Sequence, residues 1–306
     1  MPKRIALIDG DVMCYRAFQP RWKADQNYDK DGVSRTHLDE EGNVIQKVYT
    51  AEEDALYLQQ AWKSLQRHLV ELKEKLFCDE VMIAVDAGSN FRKVIFPEYK
   101  MHLGRTNATY RPSEYSKFIP FIRKLWARQG EAIEAEGREA DDLLRIWAEE
   151  CRAVGQDFIV VSIDKDLLMI PGKHYNLNRE DVTDISIEEG RRRYYTQILM
   201  GDQMDNIPGV RGMGPKKTEK HLKDCVTDND FQEAVVSAYI DCYGDDWYNY
   251  LLINGKLIHL QTHINDVFDL LDWPVVQELR GCIKEPEVVE EEPVETGGID
   301  CSGIVI

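Results

Sequence analysis

Three short apolar runs, each ending on an aspartate, constrain this chain more than any other feature. Residues 4–9 (RIALID), 80–86 (EVMIAVD) and 158–164 (FIVVSID) are dominated by aliphatic residues and are too short for core helices, so they read as buried strands. Stretches of helical length separate them, with helices expected over about 51–76, 113–128 and 139–154. Strands alternating with helices predict an α/β fold, a parallel sheet covered on both faces. Open sheets of this kind bind ligands beyond the carboxyl ends of their strands. The three runs place Asp9, Asp86 and Asp164 there.

These aspartates belong to a wider set: Asp9 and Asp11 in IDGD, Asp86 in AVDAGS, Glu139, Asp141 and Asp142 in EGREADDLL, Asp164 and Asp166 in SIDKD, and Asp202 and Asp205 in GDQMDNIPG. Gathering carboxylates in a partly desolvated site is costly, because each raises the pKa of the others. Hard divalent cations remove that cost. Mg²⁺ takes only one or two carboxylates directly and keeps several waters, so the set is too large for one ion and suits two, as in two-metal phosphodiester hydrolysis. On a helix Glu139 and Asp142 share a face. Taken singly, each acid reads as a solvated charge or a cap, and Asp164 in particular as the N-cap of a short following helix. As five clusters they read as a metal site.

Residues 207–223, IPGVRGMGPKKTEKHLK, follow the last acidic pair directly. Gly209, Gly212 and Gly214 permit a tight turn with close backbone approach, and Pro215 suits the first turn of a helix. Exposed amides there, with Lys216, Lys217 and Lys220, suit a phosphate backbone. A second basic segment carries Arg92, Lys93, Lys100 and Arg105 interleaved with Phe91, Phe96, Tyr99 and Tyr110, the mixture of cations and aromatic faces that single-stranded nucleic acid requires. Each segment taken alone also reads as an ordinary turn or solvated loop.

The net charge of −17 argues against a nucleic-acid partner at first sight. Its distribution reverses that inference. Residues 284–306 hold seven acids and one Lys without periodicity and read as a disordered tail. The tail and the nine site carboxylates, all those above except Asp11, account for all but −2 of the total. The seven cysteines are scattered with no C-x-x-C, which fits a reducing compartment and argues against a disulfide scaffold or structural zinc. No stretch approaches the length of a membrane span, so a cytoplasmic protein is expected. Residues 25–50 are polar and Gly-punctuated and read as a hairpin or insertion; a calcium loop there lacks its terminal Glu, because Leu38 holds that position.

In order, IDGD, AVDAGSNFRKVIFPEYK, EGREADDLL, SIDKDLLMI and MGDQMDNIPGVRGMGPKKTEKHL resemble the flap endonuclease and 5′–3′ exonuclease family over roughly residues 4–225. The likeness is strongest to the bacteriophage members and to the 5′ nuclease domain of bacterial DNA polymerase I. It implies a PIN-like α/β nuclease core over residues 1–190 with a helical arch around 90–130. It further implies a helical helix–hairpin–helix subdomain over 191–283, ahead of the acidic tail at 284–306. By the resemblance Asp9, Asp86, Glu139 and Asp141 hold one Mg²⁺, and Asp164, Asp166, Asp202 and Asp205 hold a second, with Mn²⁺ as a substitute. Lys100, Arg92 and Asp142 take the catalytic places, while Lys93, Tyr99, Arg105, Gly209, Gly212, Gly214, Lys216 and Lys217 contact DNA. A K⁺ at the hairpin carbonyls also follows. One departure is that the arginine expected just after the Tyr-Lys pair is delayed to Arg105.

The implied activity is metal-dependent hydrolysis near 5′ ends or single-strand/duplex junctions, in primer or flap removal during DNA replication or in degradation of host DNA. Expected partners are junction DNA or an RNA/DNA hybrid and a replication protein met by the tail. The protein is expected to act as a monomer, in the host cytoplasm if viral. Two alternatives share some of these features. A haloacid-dehalogenase-like phosphatase explains IDGD but not EADD, SIDKD or the lysine-rich hairpin. A non-catalytic DNA-binding adaptor explains the hairpin but not the acids.

Overall fold

The computed structural model describes residues 3–25, 27–28, 34–35, 51–101 and 113–282. Strand β1 (Arg4–Asp9) leads into α1 (Gly10–Asp25), and the two-residue strands β2 (Asn27–Tyr28) and β3 (Ser34–Arg35) pair antiparallel. Next come α2 (Ala51–Lys75), β4 (Glu80–Asn90), α3 (Phe91–Ile95), α4 (Ser113–Arg128), β5 (Ile133–Gly137), α5 (Ala140–Ala153) and β6 (Asp157–Ser162). A single turn of 3₁₀ helix at Asp166–Met169 precedes β7 (Gly172–Asn176) and β8 (Asp181–Ile185). The sheet order is β5-β4-β1-β6-β7-β8, parallel except for β8 at the edge.

The period-two alternation of β1 divides the core. Ala6 and Ile8 face one layer, with Ile83, Val85, Ile159 and Val161 from neighbouring strands, and are covered by Met13 and Phe18 of α1, Leu65 of α2 and Trp126 of α4. Leu7, Ala84 and Val160 face the other and are covered by Leu143, Leu144 and Trp147 of α5. Both faces are thus buried, as near-continuous apolar runs require. Strand polarity gathers the ends of β1, β4 and β6 on one side, which is where the acids converge.

Every described element after Ile185 is a helix or a single turn: α6 (Ile187–Met200), α7 (Pro215–His221), α8 (Asp228–Tyr243), α9 (Trp247–Ile258) and α10 (Pro274–Glu278). Reciprocal capping starts two of them, Ser186 with Glu189 at α6 and Thr227 with Asp230 at α8. Their apolar faces form a second core, where Tyr195 stacks on Phe231 with ring centroids 5.0 Å apart. Tyr99 and Met169, which precede these helices in sequence, are buried in it as well. No helix among the described residues is long and apolar enough to cross a membrane.

Candidate active site

Asp9 closes β1, is 5% exposed, and accepts hydrogen bonds from Ser162 Oγ at 2.6 Å and from the Val12 amide at 3.2 Å. Asp86, on the neighbouring strand β4, accepts from the Ala140 amide at 2.8 Å and so anchors the first residue of α5. Glu139 is the N-cap of that helix. Its Oε1 accepts from Lys100 Nζ at 2.7 Å and Asn90 Nδ2 at 3.3 Å, and its Oε2 from the Tyr99 hydroxyl at 2.8 Å. Asp142 takes the Glu139 amide at 3.0 Å, which fixes the cap. Glu139 is extended and lies just outside the helix, so the face it was expected to share with Asp142 does not form: Asp142 is fully buried behind, and Glu139 and Asp141 line the cleft.

The opposite wall comes from two loops. Asp164 follows β6, accepts from the Asp166 amide at 2.8 Å and lines the cleft; the N-cap of the short 3₁₀ turn is Lys165, not Asp164 as expected. Asp202 accepts from the Met204 amide at 2.6 Å and lies 3.7 Å from the Lys165 ammonium. Lys100, at a left-handed φ of 57°, donates its amide to the Asp205 carbonyl at 2.9 Å. A side chain other than glycine rarely adopts that backbone conformation. It aims the ammonium between Glu139 and the Asp205 carboxylate, 3.7 Å away. The cleft these groups enclose has a volume of about 650 Å³.

Burial and mutual repulsion are expressed in the carboxylates. Burial, reinforced by Asp164 and Asp86 against the Ser162 and Val12 hydrogen bonds, pushes Asp9 up to about 6. Asp166 also rises to about 6 through burial, Asp164 and Asp202. Asp141 lies well above the usual range through burial, Asp9, Asp164 and Glu139. Burial likewise raises Asp205, with Asp202, Glu139 and Asp164 adding to it against Lys100. Among the described residues no three His, Cys, Asp or Glu side chains already share one coordination sphere; the Lys100 ammonium stands between Glu139 and Asp205. The donor set is nonetheless that of a hard cation, oxygen only and negatively charged. It fits a divalent cation.

Three expected substrate or catalytic residues are placed differently. Arg92 is 1% exposed, forks onto both oxygens of Asp142 at 2.7 and 2.8 Å, and donates to the Leu257 and His259 carbonyls. These bonds tie it to the EADD helix, where it borders the cleft with almost no exposed surface. Asp142, held by that fork, is fully buried and does not line the cleft. Tyr99 lines the cleft but is 3% exposed, and its hydroxyl donates to Glu139 and Asp205. Lys93 is exposed on α3, whereas Arg105, Tyr110, most of residues 25–50 and the tail lie outside the described residues.

The glycine hairpin lies beside the cleft. Arg211, Gly212, Gly214, Lys216, Lys217 and Lys220 are exposed, whereas Gly209 is buried. The Gly209 amide donates to Asn254 Oδ1 at 3.2 Å, and its carbonyl accepts from the Tyr243 hydroxyl at 2.6 Å. Sequence reasoning missed these two supports, together with Ser162 beneath Asp9 and Arg123, which pairs with Asp11. Only Ser162, the first residue of SID, carried a local signal.

The family model for the 5′–3′ exonuclease N-terminal resolvase-like domain matches residues 4–195. DNA polymerase I of Bacillus caldotenax is 30% identical over 240 residues, 73% of this chain and 24% of the relative. The Bacillus subtilis polymerase I is 30% identical over 238 residues, 72% of this chain and 23% of the relative. The chain thus spans about a quarter of the length of these curated relatives. Among solved structures, the bacteriophage T5 D15 protein co-crystallised with metal ions has a TM-score of 0.58 at 14% identity, covering 85% of this chain and 90% of that one. The T5 D15 flap endonuclease complex with DNA and metal ions gives 0.57 at 16% identity with the same coverage; at these identities both show a shared fold. Neither the phosphatase nor the adaptor alternative accounts for the match to the family model, and the chain belongs to the 5′–3′ exonuclease family with the resolvase-like N-terminal domain.

Proposed function

We propose that the chain is a metal-dependent 5′ nuclease, cleaving phosphodiesters near 5′ ends or at single-strand/duplex junctions of DNA. The observation that carries this is the convergence of acids from three chain segments on one cleft, Glu139 and Asp141, Asp164 and Asp166, and Asp202 and Asp205, with the Lys100 ammonium fixed among them and Asp9 repelling Asp141 and Asp164 from the adjoining strand end. The T5 D15 flap endonuclease complex contains DNA and metal ions, which supports the same substrate class here. Asp9, Asp86, Glu139 and Asp141 would hold one ion and Asp164, Asp166, Asp202 and Asp205 another. Bound divalent ions supply Lewis-acid stabilisation of phosphoryl charge and lower the pKa of water.

The chain's own groups orient that chemistry. The reaction adds water to phosphorus and breaks the P–O3′ bond, leaving a 5′-phosphate and a 3′-hydroxyl. Lys100 supplies a preorganised cation for the charge that develops on the phosphoryl oxygens. Tyr99 and Arg92 hold Glu139 and its helix in register. The exposed Arg211, Lys216 and Lys217 at the hairpin meet the phosphates of the duplex. Residues 191–283 thus serve as the duplex-gripping subdomain and 1–190 as the nuclease core.

A 5′-labelled flap substrate incubated with Mg²⁺ tests this. Cleavage is expected from the full chain and loss of about 10²-fold or more in Asp164→Asn and Asp205→Asn, with DNA binding retained. Full Mg²⁺-dependent cleavage by either variant would overturn the assignment. Mononucleotide products would mark exonuclease action and an intact released flap endonuclease action.

A further inference from the structure

Asp11 opens α1 two residues after Asp9, and its carboxylate serves two partners. The Asp86 amide donates to it, 3.4 Å from one oxygen and 3.3 Å from the other. Arg123 of α4 places its Nε 2.6 Å from Asp11 Oδ1. The two side chains are 17% and 16% exposed. Arg123 Nε is buried and has no aligned hydrogen-bond partner among the described residues, so the contact is an ion pair rather than a directed bond.

Docking of α4 does not account for this pair. Phe118, Ile119, Ile122 and Trp126 already bury one face of the helix in the core. Apolar residues dock a helix at lower cost than two largely desolvated charges. What the pair adds is geometry at one point, the backbone of Asp86. The Asp86 carboxylate in turn holds the Ala140 amide at the start of α5, the helix that presents Glu139 and Asp141.

We propose that Arg123 and Asp11 form a positioning pair for the nuclease reaction. The line Arg123, Asp11, Asp86, Ala140 ties α4, α1, β4 and α5 together and fixes where the Asp86 and Glu139 carboxylates stand. Arg123 touches no reacting atom on this view and acts through Asp11. The inference rests on the phosphodiester-hydrolysis reading, and it deepens that reading by assigning a role to a helix outside the acid cluster.

The test compares the full chain with Arg123→Gln, Arg123→Lys, Asp11→Asn and the double variant Asp11→Asn/Arg123→Gln. Single-turnover cleavage of flap DNA in Mg²⁺ is read beside DNA affinity with Ca²⁺ in its place, the thermal midpoint, and hydrogen exchange at the Asp86 amide. Arg123→Gln and Asp11→Asn are each expected to slow cleavage by about tenfold to 100-fold, the scale of a small misplacement of catalytic groups. The double variant is expected to be no slower than the worse single one, and Arg123→Lys to recover most of the rate. DNA affinity is expected to stay within about twofold, and Asp86 amide exchange to quicken in both single variants. Additive losses, losses that simply follow the thermal midpoint, or unchanged Asp86 exchange would overturn the pairing. If the unmodified chain fails to cleave, the nuclease reading is what fails, and the exchange measurement still decides whether the two residues act as a unit.

Discussion

Removing the Arg92 guanidinium would leave the Asp142 carboxylate buried without its partner, a loss of about 3–5 kcal/mol when a buried pair is broken from one side. Arg92→Gln is therefore expected to unfold at markedly lower urea concentration than the unmodified chain, as measured by circular dichroism. Arg92→Lys should recover little, because a lysine cannot reproduce the planar fork onto both oxygens. Burial alone would raise Asp142, yet the Arg92 fork and the Glu139 and Gln261 amides hold it below the usual carboxylate range. Its contribution is present above the ordinary aspartate pKa and is lost as pH falls through the lowered one. In sequence, Arg92 stood in a basic and aromatic segment, which matches a nucleic-acid contact equally well. Burial is a property of the fold, and nothing local distinguished Arg92, which faces inward, from Lys93, which faces water.

Elements with a continuous apolar run or a full helical face were legible, and elements at the margin were not. Strand β1 coincides with residues 4–9 and α4 with 113–128, while α2 and α5 agree within a residue or two of their expected ends. Strand β4 runs on to Asn90 and β6 stops at Ser162, which leaves Asp164 in the following turn. Strands β5, β7 and β8 went unseen because they lie toward the two sides of the sheet. In β5 (IEAEG) only Ala135 is buried, and in β8 (DVTDI) only Ile185. The hairpin offers a test at this scale. A Cβ added at Gly209, whose φ is +60°, would lie 2.3 Å from the Gly201 amide nitrogen and 2.4 Å from the Met200 carbonyl carbon. At Gly212, φ +72°, the nearest atom is the flexible end of Lys217 at 3.7 Å. Gly209→Ala is thus expected to cost about 1–3 kcal/mol or more and to weaken duplex binding. Gly212→Ala is expected to cost about 1–2 kcal/mol, the left-handed backbone term alone. Thermal unfolding and fluorescence anisotropy with labelled duplex check both.

Across the whole molecule, the charge of −17 is organised by position rather than by amount. The cleft gathers the carboxylates, and the exposed hairpin is locally basic, with Arg211, Lys216, Lys217 and Lys220. Deleting residues 284–306 removes a net −6 from the chain and is expected to leave affinity for junction DNA unweakened at fixed salt, since no phosphate contact is lost. Anisotropy titration of the shortened chain measures this, and a clear loss of affinity would assign the tail to the DNA-binding surface. The Arg92 fork has a consequence for modularity. A fragment cut after Ile185 would keep all six strands of the main sheet, yet it would lose the Leu257 and His259 carbonyls that complete the guanidinium's shell. That fragment would keep the Asp142 fork but open the guanidinium to water beside the helix that carries the acids, so it is expected to be less stable than a fragment cut beyond His259.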